Sequence, residues 1–335
     1  MPLQNKKVNA TITAVGMYVP EKILDNKYFE SIVDTSDEWI ITRTGIKERR
    51  MMEKGATSDM AALAIQDLIN NSHLKADEID VIIVATVTPD MFFPASACLV
   101  QEKIGAKKAW GFDLSAACSG FLFALETGAK MIESGAYKKI IVVGSDKMSA
   151  ITDYTDRNTC ILFGDLASAV LLEPTEDINY GIKDSILYVD GTGKDSLHMK
   201  AGGSLRPASH ETVDKRWHFI YQDGKAVFKV AVKGMADVSY EIMKKNNLSS
   251  DDVAYLVPHQ ANMRIIDATA ERMGISKEKV MINIDRYGNT TAATIPSCIT
   301  EYYRNGKLKK GDNLILSAFG AGYTWGAIYL TWSLD

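Results

Sequence analysis

One helix-patterned stretch of the chain reads Ser58-Asp-Met-Ala-Ala-Leu-Ala-Ile-Gln-Asp-Leu-Ile-Asn-Asn-Ser-His-Leu74, and a short linker and a strand-like apolar run follow it. A second stretch reads Val232-Lys-Gly-Met-Ala-Asp-Val-Ser-Tyr-Glu-Ile-Met-Lys-Lys-Asn-Asn-Leu248, and it is also followed by a short linker and a strand-like run. The closing leucines are 174 residues apart. This period is far longer than the roughly 20–50 residues of solenoid repeats. The repeat predicts a duplicated domain with two similar α/β halves.

Short apolar runs alternate with helix-patterned stretches along the chain, and such runs are typical of buried strands. The predicted strands are Val81–Ala85, Ile140–Val143, Ala169–Leu172, Leu314–Leu316 and Ala327–Leu330. The predicted helices are Asp59–Asn71, Phe121–Ser134, Val230–Asn246 and Ile265–Met273. This alternation predicts an α/β fold with mixed, mainly parallel sheets that are covered by helices on both faces.

We place the boundary between the two halves after residue 178, which gives the ranges 1–178 and 179–335. Phe112-Asp113 before Cys118 corresponds to Ile284-Asp285 before Asn289, 172 residues later. The duplication therefore predicts that Cys118 and Asn289 occupy equivalent strand-to-helix elbows. If the halves are related by a pseudo-twofold axis, the two elbows converge. His259 follows another predicted strand and is expected near the same axis.

Composition limits the classes of protein that the chain can represent. Its 335 residues are 46% hydrophobic, and its net charge of −4 does not suit a nucleic-acid binder. The four cysteines are scattered without CxxC spacing, which argues against a metal site or a disulfide framework and is typical of a reducing cytosol. We expect no signal peptide and no membrane span, because the N-terminus lacks an apolar region and no run reaches about 18 apolar residues. These features predict a cytoplasmic globular protein.

One polar, turn-rich segment, Asp190–Asp223, interrupts the start of the second half. Its composition predicts a surface excursion. Long irregular segments of this kind are often binding loops.

Cys118 lies in the run Asp113-Leu-Ser-Ala-Ala-Cys-Ser-Gly-Phe121, where an apolar stretch ends and a helix-patterned stretch begins. Unpaired N–H groups and the positive end of the helix dipole favour a thiolate at a helix start. The position therefore predicts a cysteine with a lowered pKa that acts as a nucleophile. The alternative is an inert buried cysteine, which is how we interpret Cys98, Cys160 and Cys298.

Two further side chains and a glycine-rich turn are candidates for the same chemistry. His259 leaves a strand in Val257-Pro-His-Gln-Ala-Asn262, and Asn289 follows a glycine in Tyr287-Gly-Asn-Thr290. The turn Ser317-Ala-Phe-Gly-Ala-Gly-Tyr-Thr-Trp-Gly326 has backbone N–H groups suited to an oxyanion. Each also has a structural interpretation: a turn with a helix cap for the asparagine, and close packing for the glycines. We interpret the remaining histidines, His73, His198, His210 and His218, as structural or exposed.

The motifs together resemble those of the 3-oxoacyl-[acyl-carrier-protein] synthase III family, nearly from end to end. They are Asp34-Thr-Ser-Asp-Glu-Trp-Ile40, Thr42-Arg-Thr-Gly-Ile46, Ala116-Ala-Cys-Ser-Gly120, Gly144-Ser-Asp146, Thr155-Asp-Arg157, Phe163-Gly-Asp165, Val257–Asn262, Gly288-Asn-Thr290 and Phe319–Gly326. The resemblance implies a thiolase-like fold of five layers, αβαβα, built from the two duplicated halves. It implies the initiating condensing enzyme of fatty-acid synthesis.

The resemblance assigns a catalytic triad to Cys118, His259 and Asn289. Cys118 would take the acyl group of an acyl-CoA, and the N–H groups of Cys118 and Ala321 would form the oxyanion hole. His259 and Asn289 would then donate hydrogen bonds to malonyl-carrier protein as it loses CO₂, and the product would be a 3-oxoacyl-carrier protein. No cofactor is implied, because acyl-CoA is a substrate. The glycine-rich turn lacks the second cysteine of degradative thiolases, which argues against the reverse reaction.

The resemblance also assigns binding residues and an oligomeric state. The implied CoA-binding residues are Trp39, Arg43, Arg157 and Arg264, and the implied acyl-pocket residues are Phe93, Met148 and Phe319. Phe93 would reach the pocket of a partner subunit, which implies a homodimer. Lys229, Arg264 and Arg272 would dock the acidic carrier protein, although Glu271 departs from the basic character of that surface.

Ala321 stands where the family often has the middle glycine of three. Its Cβ disfavours positive φ. We therefore predict that Ala321 has negative φ and still presents its N–H to the site.

Two other functions remain open from the sequence. A specialised paralogue would use the same triad to make another ketide or an ester. A non-enzymatic acyl-binding relic would be expected to lack a triad member, and none is missing. Primer length and branching are open as well, because one buried methylene is worth only about 0.8 kcal/mol.

Overall fold

The computed structural model describes residues 8–335. Residues 1–7, on which the expected lack of a signal peptide rests, lie outside the described range. The strands are β1 Asn9–Tyr18, β2 Lys22–Asp25, β3 Glu48–Met51, β4 Val81–Ala85, β5 Trp110–Leu114, β6 Ile140–Asp146, β7 Leu166–Thr175, β8 Gly181–Val189, β9 Leu197–Met199, β10 Ile220–Gln222, β11 Tyr255–Pro258, β12 Asn313–Gly320 and β13 Thr324–Thr331. The helices are α1 Asn26–Glu30, α2 Asp37–Thr44, α3 Thr57–Asn70, α4 Ser96–Lys103, α5 Gly120–Glu133, α6 His210–Asp214, α7 Gly224–Lys245, α8 Met263–Met273, α9 Ile284–Tyr287 and α10 Thr294–Arg304.

Two large sheets repeat one strand order. The first runs β1-β7-β6-β4-β5, and the second runs β8-β13-β12-β11. Where the first sheet has its fifth strand, β5, the second sheet has, within the described residues, only a single parallel bridge between Leu256 and Val280. The same order in both halves confirms the duplication that the repeat predicts. The boundary that we predict after residue 178 lies in the loop between β7 and β8.

Helices and sheets form five layers. Helices α3 and α4 cover the outer face of the first sheet, and α7 and α8 cover the outer face of the second. Helices α5 and α10 lie between the two sheets and contact both. Phe121 and Leu125 of α5 are fully buried in this central core, together with Ile299 of α10. The αβαβα arrangement is therefore confirmed.

The sheets are mixed, but parallel pairs do not predominate in them. Strand β4 is parallel to β5 and β6, and β11 is parallel to β12. The pairs β1–β7, β6–β7, β12–β13 and β13–β8 are antiparallel. The expectation of mainly parallel sheets was wrong because both kinds of strand are buried here and read as continuous apolar runs. Apolar runs of this kind do not reveal strand direction.

Local pattern explains the helices that the sequence predicts. In α3 the buried residues recur with helical spacing, at Met60, Ala61, Ala64, Ile65 and Leu68. This apolar face lies against β1, β6 and β7. Within the described residues, no helix combines the length and the apolar character that a bilayer span requires.

The repeat also gives each half an equivalent strand-to-helix elbow, and these elbows correct the predicted match between Cys118 and Asn289. The first half has a 3₁₀ turn at Ala117–Ser119 before α5, and the second has one at Thr291–Ala293 before α10. Ala117 and Thr291, at the start of each turn, have positive φ of 49° and 51°. The counterpart of Cys118 is therefore Ala292, and not Asn289, which precedes its turn. The two turns contact each other, so the elbows converge as predicted.

Candidate active site

The nucleophile candidate lies where β5 turns into α5. Cys118 is in the 3₁₀ turn and is 8% exposed. Two hydrogen bonds tie this elbow to the start of β13: Ser119 Oγ donates to the Thr324 carbonyl at 3.0 Å, and Thr324 Oγ1 donates to the Ala116 carbonyl at 2.9 Å. The elbow is thereby held against the glycine-rich turn.

Cys118 does not have the lowered pKa that its position predicts. Burial, together with the nearby Asp146 carboxylate, raises its pKa from 9.0 to about 12, although a backbone hydrogen bond lowers it. That rise corresponds to about 4 kcal/mol in favour of the thiol. A helix terminus contributes at most about 2 kcal/mol, so desolvation outweighs the helix start. The resting side chain is a neutral thiol.

His259 directly follows β11, as predicted, and is 1% exposed. Its backbone N–H donates to the Ser317 carbonyl at 2.8 Å, and its ring Nδ1 lies 2.8 Å from the Thr294 hydroxyl. Burial lowers its pKa from 6.5 to about 3. His259 is therefore a neutral imidazole at physiological pH.

Asn289 is held by backbone and side-chain bonds on both sides. Its N–H donates to the Leu162 carbonyl at 2.9 Å, and its carbonyl accepts from the Gly164 N–H at 3.1 Å. Its side-chain Oδ1 accepts from the Thr291 N–H at 2.9 Å. The amide oxygen is thus engaged, which leaves Nδ2 as the donor that the side chain offers.

Asp146 is a buried carboxylate at the end of β6 that links the two halves. It accepts from the Thr86 hydroxyl at 2.9 Å and the Val87 N–H at 2.8 Å in the first half. From the second half it accepts a hydrogen bond from the Thr291 hydroxyl. Burial raises the pKa of Asp146, and these donors oppose that rise. The carboxylate anchors the residue whose N–H positions Asn289.

The glycine-rich turn approaches the backbone of Cys118 closely. A Cβ at Gly320 would lie 2.7 Å from the Cys118 nitrogen, so only glycine fits there. Ala321 is not one of the described residues that have positive φ, which agrees with the prediction. The next residue, Gly322, has φ of 141°. The direction of the Ala321 N–H stays a prediction.

A cavity of about 650 Å³ brings the catalytic candidates together. Cys118, His259 and Asn289 all line it, although they come from three separate segments of the chain. The other predicted site residues that line it are Trp39, Met148, Phe319 and Ala321.

The predicted CoA residues lie at the surface near this cavity. The Arg157 guanidinium is 4.8 Å from the ring centre of Trp39, and that of Arg43 is 5.8 Å from it. Arg157 already contacts the indole, so a base can stack between them only if Arg157 moves aside. Arg264 instead lies over Phe228, at 4.5 Å.

Phe93 does not line the cavity of its own chain. It is 85% exposed, and its neighbour Phe92 is 79% exposed. Lys229 is exposed, as are Arg264 and Arg272, and Arg272 is paired with Asp237 at 3.4 Å.

Several residues of the site were missed from the sequence. The segment Asp190–Asp223 is more than an excursion, because β9 and β10 form a small sheet in it whose residues line the cavity. His198, interpreted as structural or exposed, is one of them. The alternating apolar residues Leu197 and Met199 were the available signal. Cys98 is exposed, which corrects its interpretation as a buried cysteine.

Comparisons with known proteins agree with each other. Residues 112–191 match the family described as 3-oxoacyl-[acyl-carrier-protein] synthase III, and residues 243–332 match its C-terminal family. The beta-ketoacyl-[acyl-carrier-protein] synthase III of Chlorobaculum tepidum is 60% identical over 328 residues, which cover 97% of this chain and 100% of the relative. That of Porphyromonas gingivalis is 54% identical, with 98% of each chain covered. The crystal structure of 3-oxoacyl-[acyl-carrier-protein] synthase III from Aquifex aeolicus VF5 superposes with a TM-score of 0.89 at 42% identity, covering 96% of this chain and 100% of that one.

Proposed function

The chain belongs to the 3-oxoacyl-[acyl-carrier-protein] synthase III family, and from that membership we propose roles for the residues of its cavity. It is an acyltransferase, the initiating condensing enzyme of fatty-acid synthesis. A specialised paralogue is not favoured, because relatives that are 54–60% identical over nearly the whole chain carry the synthase III name. The observation that carries the proposed roles is the convergence of Cys118, His259 and Asn289 on one cavity.

In the first half-reaction, Cys118 attacks the thioester carbonyl of an acyl-CoA. The new bond joins the cysteine sulfur to the acyl carbon, and the bond from that carbon to the CoA sulfur breaks. The proton that the thiol gives up balances the proton that the departing CoA thiol gains. The N–H groups of Cys118 and Ala321 stabilise the tetrahedral oxyanion between these events. A covalent acyl-enzyme thereby divides one difficult transfer into two easier ones.

In the second half-reaction, malonyl-acyl carrier protein enters the emptied cavity. Its carboxylate leaves as CO₂, and the electron pair forms an enolate at the thioester. His259 and Asn289 Nδ2 donate hydrogen bonds to the enolate oxygen, each worth about 3 kcal/mol. The enolate carbon attacks the acyl group on Cys118, and the sulfur leaves and regains a proton from solvent. Loss of CO₂ removes the need for a strong base, and the two half-reactions use no cofactor.

Binding of the two substrates is proposed at the mouth of the cavity. Trp39 and Arg157 would stack on the adenine of CoA, with Arg43 and Arg264 near its phosphates. Lys229, Arg264 and Arg272 would attract the acidic carrier protein. The exposure of these side chains supports the proposal, although Arg272 must exchange its pairing with Asp237.

We also propose a homodimer in a cytoplasmic location. The exposed ring of Phe93 supports the dimer, because a partner's acyl pocket, formed with Met148 and Phe319, would bury it. All four cysteines are free, which is typical of a reducing compartment.

Mass spectrometry of the intact enzyme after incubation with a panel of acyl-CoA thioesters tests the nucleophile. We expect one acyl group on Cys118 and none in Cys118→Ser. The exposed thiol of Cys98 provides the control, and Cys98→Ser should acylate normally. Acylation of Cys118→Ser at the wild-type rate would exclude Cys118. The preferred chain length in the panel identifies the primer.

A second measurement separates the half-reactions. His259→Ala and Asn289→Ala should still acylate, but each should lose decarboxylation of malonyl-carrier protein by about 100- to 1,000-fold, as expected for loss of one oxyanion donor. Loss of self-acylation in both variants would contradict the division of roles.

A further inference from the structure

Gln260 is a fully buried amide in the segment between β11 and α8. Its Nε2 donates to the Pro258 carbonyl at 2.8 Å and to the Met281 carbonyl at 3.1 Å. Its Oε1 accepts hydrogen bonds from the backbone N–H groups of Asn283 and Ile284, at 3.1 Å and 3.2 Å. Both hydrogens of the amide and both lone pairs of its oxygen are therefore engaged.

The two N–H groups that bond Gln260 lie at the start of α9. N–H groups at a helix start have no partner within the helix and need one from elsewhere. The side chain of Asn283, at the N-cap, does not supply it, because Nδ2 donates instead to the Ser297 hydroxyl at 3.1 Å and to the Glu301 carboxylate at 3.3 Å. Gln260 thus provides, from a different segment, the acceptor that caps α9.

Helix α10 holds α9 at a second place. Arg286 Nη2 donates to the Glu301 carboxylate at 2.9 Å, and the Tyr287 hydroxyl donates to it at 2.8 Å. Contacts with one carboxylate fix a single point of the short helix. The amide of Gln260 adds a second point, so that the two together fix the orientation of α9.

The position of α9 is transmitted to Asn289 through one residue, Gly288. A Cβ at Gly288 would lie 2.8 Å from the Leu162 carbonyl oxygen, so the chain is packed closely there. The same carbonyl accepts the N–H of Asn289 at 2.9 Å. A shift of α9 would therefore move Asn289 relative to the cavity.

Gln260 itself stays behind the wall of the cavity. Among the described residues, its neighbours His259 and Ala261 line the cavity, and Gln260 does not. It therefore does not contact a substrate there, and its effect on the reaction must pass through the segments that it joins.

We propose that Gln260 is a positioning residue that holds Asn289 in place by anchoring α9 to the end of β11. The proposal deepens the function above and rests on the assignment of Asn289 as a donor to the enolate. Such a donor must be placed before the charge develops, because a displacement of about 1 Å can cost about 100-fold in rate. The amide provides this placement from outside the cavity.

Hydrogen exchange, measured by mass spectrometry of overlapping peptides across residues 281–290, tests the anchor itself. In the wild type, the N–H groups of Asn283 and Ile284 should be protected, although N–H groups at a helix start usually lack a partner. Gln260→Met keeps the length of the side chain without its hydrogen bonds. The two groups should exchange about tenfold faster in this variant, as expected for the loss of a hydrogen bond. Rapid exchange in the wild type overturns the proposal, even if the methionine variant fails to fold.

Kinetics of the two half-reactions measure the consequence for Asn289. In Gln260→Met, kcat for decarboxylation of malonyl-carrier protein should fall about 10- to 100-fold with KM little changed, while acylation of Cys118 stays near the wild-type rate. A merely structural defect would lower both rates in proportion, because it would reduce the fraction of folded enzyme. Equal losses in the two half-reactions, or an unchanged decarboxylation rate, overturn the proposal.

Asn313→Leu is the matched control. The amide of Asn313 also makes several hydrogen bonds, to the Asp252 carbonyl and to the hydroxyls of Tyr329 and Thr331. It lies at the start of β12, and the cavity lies beyond the other end of that strand. This variant should lose stability but retain the rates of both half-reactions. A loss of decarboxylation equal to that in Gln260→Met would overturn the proposal, because the loss of any bonded amide would then have this effect.

The results separate this inference from the function on which it rests. If Asn289→Ala retains decarboxylation, the donor role of Asn289 fails, and faster exchange in Gln260→Met still shows that Gln260 anchors α9. If Asn289→Ala loses decarboxylation but Gln260→Met does not, the role of Gln260 fails alone.

Discussion

Burial governs the ionisation of both titratable side chains of the proposed triad. It raises the pKa of Cys118 to about 12 and lowers that of His259 to about 3, so both groups are neutral near pH 7. A neutral pair costs less to bury than an ion pair, which would need further partners in the cavity. The raised pKa of Cys118 thus keeps the proposed nucleophile as a thiol near pH 7.

Alkylation of Cys118 by iodoacetamide should follow this high pKa. Because the thiolate is the reactive form, the rate should rise about tenfold with each pH unit between pH 7 and 10. Asp146→Asn should shift the profile to lower pH, since the Asp146 carboxylate is one cause of the raised pKa. Asp165→Asn is the control, because Asp165 is also buried but does not act on Cys118. If the alkylation rate of the wild type stops rising near pH 7, the pKa of Cys118 is lowered instead of raised.

His259 should make the stability of the fold depend on pH. Its pKa is about 3 in the folded protein and 6.5 when unfolded, so the unfolded state binds more protons between these values. The contribution is fully present above pH 6.5 and is lost as the pH falls toward 3. From pH 7 to pH 5 it lowers the free energy of unfolding by about 2 kcal/mol. Urea denaturation at both pH values should give this difference between the wild type and His259→Asn; equal pH dependence would refute it.

At the scale of elements, the site depends on the contact between two elbows. The 3₁₀ turns at Ala117–Ser119 and Thr291–Ala293 contact each other, and β6 lies against the second turn. Gly144 of β6 makes this approach possible, because a Cβ there would lie 2.5 Å from the Ala292 carbonyl oxygen. Strand and turn belong to different halves, so their spacing sets the position of Asn289 relative to Cys118.

Gly144→Ala should therefore damage both stability and catalysis. The added methyl group meets backbone that cannot rotate away, and overpacking of this kind costs about 1–3 kcal/mol. The measurements are the midpoint temperature of thermal unfolding and the rate of decarboxylation, and both should fall. Gly203→Ala provides the control, since nothing lies within 4 Å of its added Cβ. Wild-type stability in Gly144→Ala would mean that the elbows tolerate separation.

At the scale of the whole molecule, an edge strand of the first sheet and an exposed apolar loop are candidates for contact with a partner subunit. Within the described residues, β5 is one of the two terminal strands of the first sheet, and the loop before α4 exposes Met91, Phe92 and Phe93. Adjacent exposed aromatic residues are typical of an interface. The three residues of the proposed triad nevertheless line a cavity of one chain, so a partner would complete the acyl pocket and not the triad.

Phe93→Asp should shift the proposed dimer to a monomer, because a charge would replace the ring that the proposed interface buries. Sedimentation equilibrium gives the mass directly. Ile178→Asp is the matched control, since Ile178 is also exposed, at 56%, but lies in the loop between β7 and β8. A Phe93→Asp protein that stays dimeric at micromolar concentration would place the interface elsewhere.

The sequence alone was sufficient for the features that depend on local order. The repeat that ends at Leu74 and Leu248 predicted two α/β halves, and the run Val81–Ala85 coincides with β4. The elbow before α5 and the position of His259 directly after β11 were also predicted, because neighbouring residues determine where a strand ends and where a helix begins.

Only the tertiary structure decided the direction of the strands, the lining contributed by Leu197–Met199 and the ionisation of the site. The direction of a strand depends on how the chain connects it to its neighbours, and an apolar run does not reveal that connection. The pKa values of Cys118 and His259 depend on desolvation, which arises when two sheets enclose α5 and α10. The 2.8 Å contact between Thr294 and His259 is of the same kind, because it joins residues of different segments that meet only in the folded core.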